Sequence, residues 1–208
     1  MGRIIRDEAC IAEGARWLAA REPRFAKALV LTGPVPLRLR PDGFAALLGA
    51  IVSQQVSVAS ARAITARLEE AGLAERGAVA EAAEETLRGC GLSRQKIRYA
   101  QALARSDLDF DALRRMDDPE IVACLTALPG IGIWTAEIYA MFSLGRADVF
   151  APGDLALQES ARRLFDLEAR PKERELRQMA AAWSPWRSVA ARLLWAYYRV
   201  ETRREGIT

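Results

Sequence analysis

The sequence predicts an all-α protein built as two lobes, and three observations carry that expectation. It is rich in Ala, Leu and Arg with few β-branched runs, a composition that favours helices. Its apolar residues recur at helical spacing, as at Phe44, Leu47, Leu48 and Ile51. Gly, Pro and capping residues punctuate the chain at helix-length intervals, with short connections between. A chain of 208 residues suffices for one large domain or two smaller lobes sharing a core.

The elements follow in order. A first helix is predicted over residues 7–21 and a second over 24–31. Gly33-Pro34-Val35-Pro36 then breaks the pattern, so 37–41 must be extended or loop. Asp42 suits the N-cap of a helix over 44–53. Gln54-Gln55-Val56 interrupts, Ser57 caps a helix running to Glu70, and Gly72 stops it. A helix over 81–88 ends at Gly89-Cys90-Gly91, and Ser93 opens another that runs to Ala104. Asp118-Pro119 is an N-cap followed by Pro at the first helical position, which starts a helix to Ala127. The next covers 133–144 and ends at Gly145; helices over 155–165 and 185–200 complete the set. One lobe is expected over 42–145, with a helix-hairpin-helix at 119–144, and the other from 1–41 with 146–208.

Composition removes several chemistries. The chain has no His, which excludes Ser-His and Cys-His nucleophile pairs and the usual transition-metal ligands. Any catalytic acid or base is then a carboxylate, or failing that Lys, Tyr or Cys. Cys10, Cys90 and Cys124 are scattered, with neither metal spacing nor a disulfide framework, as in a reducing compartment. No stretch approaches a membrane span and the first residues are too charged for a signal peptide, so a soluble intracellular protein is expected. The net charge of +3 is unevenly spread: acids gather at 69–85 and 107–120, while Arg and Lys gather near the N-terminus and along the last third. Such a distribution suits a polyanionic partner as well as it suits a solvated Arg-rich surface.

The most informative stretch is 128–154. In Leu128-Pro129-Gly130-Ile131-Gly132 the glycines allow a sharp turn and close approach of another molecule. The helix after it begins with N–H groups and a positive dipole end suited to a phosphate. Such a backbone grip is blind to base sequence; a plain turn between packed helices is the alternative. Further on, Ala151-Pro152-Gly153-Asp154 puts one carboxylate at a helix start, where N–H donors and the dipole favour its ionised form. Asp154 is therefore both an N-cap and the candidate catalytic residue.

These two segments resemble the hallmarks of the helix-hairpin-helix DNA base-excision glycosylases, whose hairpin is followed by a Gly/Pro-rich loop ending in Asp. The similarity is greatest to the alkylpurine branch, the DNA-3-methyladenine glycosylase II family. Ala50-Ile51-Val52-Ser53-Gln54-Gln55-Val56-Ser57-Val58, Gly91-Leu92-Ser93-Arg94-Gln95-Lys96 and Trp183-Ser184-Pro185-Trp186-Arg187-Ser188 also carry it, so that it covers about 44–198. The resemblance implies a compact helical enzyme without the N-terminal β-domain of larger relatives. It would flip damaged bases out of double-stranded DNA and act as a monomer.

Residue by residue, it implies that Asp154 stabilises the sugar cation and directs water, while Gly130, Gly132, Ile133 and Thr135 hold phosphate. It also implies a base pocket of Trp134, Trp195, Ile138 and Gln54, with Gln55 as the wedge. Bifunctional relatives carry Lys where this chain has Trp134, which implies hydrolysis without strand cleavage. An indole face favours cationic 3-methyladenine or 7-methylguanine type bases. Trp195 read alone is an ordinary core residue of an amphipathic helix, and only beside Trp134 and Asp154 does it join the pocket. Ile138 replaces a Tyr of some members, which leaves deaminated or etheno purines open as substrates, and a non-catalytic lesion binder stands as the further alternative. No cofactor is implied for catalysis; a sodium or potassium ion on the backbone carbonyls of Thr126, Leu128 and Ile131 is. The iron–sulfur cysteines of some relatives are absent.

Overall fold

The structure is a computed structural model that describes residues 2–205. Among those residues it is helical, with no strand and one isolated bridge, Ile4 to Arg146. The helices are α1 (Glu8–Arg21), α2 (Pro23–Thr32), α3 (Phe44–Ser53), α4 (Val58–Glu70), α5 (Arg76–Glu81), α6 (Glu84–Gly89) and α7 (Arg94–Arg105). They continue with α8 (Phe110–Arg115), α9 (Asp118–Thr126), α10 (Ile133–Phe142), α11 (Leu155–Leu164), α12 (Glu173–Ala180), a 3-10 turn (Ala181–Trp183) and α13 (Arg187–Glu205).

Ser57, Ser93 and Asp154 each cap the helix expected of them, and Asp7, expected inside α1, caps it; all four accept from backbone N–H groups of the first turn. Two caps differ. Gly43, at φ +97°, precedes α3, and Asp42 instead accepts from the Arg114 guanidinium at 2.6 Å. Asp117, not Asp118, caps α9 in a capping box with Glu120, which moves Pro119 one position inward. The helix expected over 81–88 is the shorter α6, because extended backbone at Ala82 and Ala83 separates it from α5, a helix that was not expected. Helices α8 and α12 appear where none was expected. α8 is six residues long, and α12 buries only Leu176 and Ala180 of its eight, so neither shows a long apolar period.

The chain forms two compact units, one through the described residues of Met1–Leu39 and Ala140–Thr208, the other over Arg40–Tyr139. In the Arg40–Tyr139 unit, α3, α4, α5, α6 and α7 enclose a core that includes Leu48, Val52, Leu68, Val79, Leu87 and Ile97. In the other unit α13 packs on α1, α2 and α11. An aromatic cluster lies there: Phe25, Phe150 and Phe165 surround Trp183 with ring centroids 5.3–5.7 Å away. Trp186 is buried against Gly14, where a Cβ would come within 2.6 Å of the indole. Arg192 is buried too, donating to the carbonyls of Leu37, Met141 and Ser188 with its guanidinium 4.4 Å over the Phe142 ring. Burial first, and the charge of Arg38 second, pull its pKa down to about 10.

Candidate active site

The sequence-derived site residues fall into two groups, each described within its own unit. In the Arg40–Tyr139 unit, α9 and α10 are joined by the predicted turn, closed by Leu128 N–H to Leu125 and Ile131 N–H to Leu128, both at 3.1 Å. Its two glycines do different work. Gly130 has φ +86°, and a Cβ there would fall 2.3 Å from the Tyr99 ring, so this glycine lets the turn close on its own unit. A Cβ at Gly132 would meet nothing within 4 Å, so here the backbone faces open space. The Gly132 carbonyl accepts from Ala136 N–H at 3.0 Å, opening the ladder of α10. The N–H groups that open α10 lie at the helix's positive end, where negative charge is favoured.

Ile133 and Trp134 are about half exposed, at 53 % and 48 %, whereas Thr135 is buried and Ile138 half-buried. An exposed apolar pair at the mouth of a helix is the kind of surface that a partner covers. Gln55 is exposed and has φ +55°, an uncommon conformation for a residue with a Cβ. Val56 and Val58 beside it are exposed as well. Gln54 turns the other way: its amide donates to the Gly130 carbonyl at 2.8 Å. Lys96 is almost wholly buried and donates to the Val52 carbonyl at 2.7 Å, and burial lowers its pKa. Gln54, Gln55, Lys96 and Tyr99, with the hairpin turn over 126–132, line an open basin of about 520 Å³.

The second group belongs to the other unit. Asp154 precedes α11, and three N–H groups converge on its Oδ1: Ala156 at 2.9 Å, Leu157 at 3.1 Å and Trp195 Nε1 at 3.2 Å. The first two are the cap the sequence predicts. The third was not legible, because Trp195 lies on α13, 41 residues away. Trp195 is half-buried and its ring packs at 5.7 Å from Phe142.

The loop before Asp154 is fastened at both ends by residues that sequence reasoning missed. Gln158, buried one turn into α11, donates to the Pro152 carbonyl at 2.8 Å. At the other end Asp148 receives a two-bond fork from Arg187 and a third bond from Ser184, all at 2.8 Å. Burial raises the Asp148 pKa, but the bonds from Arg187 and Ser184 outweigh it, and the net value lies below the ordinary one. The signal for Arg187 was present in Trp183-Ser184-Pro185-Trp186-Arg187-Ser188, though not its partner.

Such a carboxylate can stabilise positive charge or orient water. Among the described residues there is no group of three or more His, Cys, Asp or Glu placed to hold a metal ion. No helix among them is long and apolar enough to cross a membrane.

Comparison with known proteins adds three findings. The sequence profile of the HhH-GPD superfamily of base excision DNA repair proteins matches residues 48–186. The alkylbase DNA glycosidase-like protein mag2 of Schizosaccharomyces pombe is 25% identical over 190 residues, covering 86% of this chain and 89% of its own. Two solved structures share the fold. A DNA-3-methyladenine glycosidase from Bacillus halodurans is 32% identical with a TM-score of 0.84, covering 91% of each chain. The 3-methyladenine DNA glycosylase Mag1 of S. pombe, in complex with abasic DNA, is 26% identical with a TM-score of 0.73, covering 88% of this chain and 95% of that one.

Proposed function

The chain belongs to the HhH-GPD superfamily of base excision DNA repair proteins, and from that premise we propose that it is a monofunctional DNA glycosylase. It excises alkylated purines of the 3-methyladenine and 7-methylguanine type from double-stranded DNA, acting as a monomer. The observation that carries this reading is Asp154: a carboxylate held by three N–H donors on one oxygen, at the end of a loop fixed by Gln158 and by Asp148 with Arg187.

Breaking a purine N-glycosidic bond leaves positive charge on the sugar, and a rigid anion beside it lowers the barrier. Three donors on Oδ1 fix the direction of the carboxylate, which meets the oxocarbenium carbon or orients the attacking water. The target base reaches this carboxylate only when flipped from the stack.

The hairpin supports the DNA side of the proposal. Gly130, Gly132, Ile133 and Thr135 offer backbone N–H groups to a phosphate without reading sequence. Gln55 is the wedge that fills the gap. Trp134, with Ile138 one turn on, receives the base, and an indole face favours a cationic purine by about 1–2 kcal/mol once water is excluded. Hydrolysis without strand cleavage follows from Trp134 standing where a nucleophilic Lys would be needed. No cofactor enters the reaction. A sodium or potassium ion on the carbonyls of Thr126, Leu128 and Ile131 completes the proposal for the hairpin. Thr126 ends α9, where carbonyls lack intrahelical donors, and the Leu128 carbonyl that accepts from Ile131 has a second lone pair to offer.

The test is direct. Duplex DNA carrying 7-methylguanine is incubated with the protein, and released base and strand breaks are measured without alkali. Base release with no nicking is expected, and it should be absent from Asp154→Asn. Full release by that variant, or nicking by the wild type, would sink the mechanism.

A further inference from the structure

The sequence pattern groups Gln54 with the base pocket, but its side chain is engaged elsewhere. Its Nε2 donates to the Gly130 carbonyl at 2.8 Å across 76 residues of chain. The same glycine is covered by the Tyr99 ring, whose hydroxyl accepts from Gln95 Nε2 at 2.6 Å. The peptide at the heart of the phosphate hairpin is thus held by Gln54 on its carbonyl and by Tyr99 on its face.

The other end of the connection is the turn after α3. Gln55, directly after Gln54, has a left-handed backbone, a conformation that costs about 1 kcal/mol for a residue with a Cβ and persists only where its surroundings impose it. Lys96 imposes it from one side, its buried ammonium on the Val52 carbonyl at the end of α3. Gln54 imposes it from the other. All of these groups belong to the same compact unit and line one basin.

From this we infer that Gln54 is a positioning residue: through Gly130 it locks the Gln55 wedge in register with the phosphate-binding hairpin. When the hairpin seats on the backbone, the wedge is already aimed, and flipping needs no further ordering of the turn. This inference rests on the glycosylase reading. It differs from a base-pocket role because Gln54 then acts only through Gln55.

A double-mutant cycle with Gln54→Met and Gln55→Ala tests it. Gln54→Glu serves as a second variant that keeps the size but cannot donate. The probe is a duplex with 7-methylguanine opposite cytosine and 2-aminopurine beside the lesion, and thermal unfolding checks each variant's fold. Each single change should lower single-turnover excision about tenfold, with a matching loss of the 2-aminopurine fluorescence rise that reports flipping. The double variant should lose no more than either single one. Affinity for undamaged duplex should stay within twofold, and the losses should shrink when 7-methylguanine stands opposite an abasic analogue.

Additive losses, about a hundredfold in the double variant, would overturn the inference, since Gln54 would then act on the base by itself. A tenfold loss of undamaged-duplex affinity in Gln54→Met would overturn it too, by reducing Gln54 to a builder of the hairpin. Should the wild type release no base, the glycosylase reading fails alone. The 2-aminopurine arm of the cycle still decides the coupling: non-additive fluorescence losses support it and additive ones overturn it.

Discussion

The acid loop and the hairpin are both short connections running into a helix, yet they are built in opposite ways. Around Asp154 bonds that involve side chains do the fastening: its carboxylate accepts from Trp195 and from backbone N–H groups of α11, Gln158 donates to Pro152, and Arg187 and Ser184 donate to Asp148. Around Gly132 there is open space, and Ile133 and Trp134 beside it are half exposed. A fixed anion lowers a barrier only if it does not have to reorganise during the reaction. A grip on DNA, in contrast, needs groups whose partner comes from outside. Over-determination in one region and exposure in the other fit those two tasks.

Removing each region's defining group separates them. Asp154→Asn keeps an acceptor for the cap but loses the charge, so single-turnover excision should fall about 10³-fold with DNA affinity unchanged. Unfolding temperature should move by little. Equal losses of rate and affinity would erase the distinction. Gly130→Ala should do the reverse. The Cβ meets Tyr99 and the left-handed φ is strained, so the turn must shift. Affinity for undamaged duplex should fall about 10- to 100-fold, the worth of one or two charge-assisted contacts. The excision rate of the saturated complex should change much less.

That contrast also explains what the sequence made legible. The hairpin depends on Gly130 and Gly132 at fixed spacing, and the cap depends on Asp154 beside its own helix; both are local and can be read from a string. The long helices were legible for the same reason, through Ser57, Ser93 and their apolar period. The bonds from Trp195 to Asp154, from Arg187 to Asp148 and from Gln54 to Gly130 join residues 41, 39 and 76 positions apart, and nothing in the spacing announces them. Asp42 misled because a carboxylate next to a helix start also suits an arginine, and here Arg114 takes it. The short α5 and α8 lacked the length to show a period.

Trp134 tests whether exposure in the hairpin region serves recognition as well as grip. If its indole receives a cationic base, Trp134→Ala should lower excision of 7-methylguanine about tenfold more than excision of a neutral purine such as hypoxanthine, the equivalent of about 1–2 kcal/mol. Trp134→Phe should recover part of the difference. An equal loss on both substrates would assign Trp134 to general packing against DNA.

The smallest expected effect probes the fastening of the acid loop through pH. Asp148 has a pKa below the ordinary value, so the unfolded state binds its proton more readily than the folded state. Its contribution to stability is complete above the unfolded value near pH 3.9 and is lost as pH falls through the lower folded value. Wild type should therefore lose unfolding temperature more steeply below about pH 4 than Asp148→Asn does. At neutral pH the variant should be less stable by about 1–2 kcal/mol, a partly exposed pair being worth less than a buried one. Excision should fall a few-fold, since Asp154 keeps its own donors while the start of its loop loosens. Arg187→Lys, which keeps the charge but not the fork, should behave similarly at neutral pH. If both variants matched wild type in rate and in the acid limb, the clamp at Asp148 would have no part in holding Asp154, and the over-determination would reduce to the cap, Gln158 and Trp195.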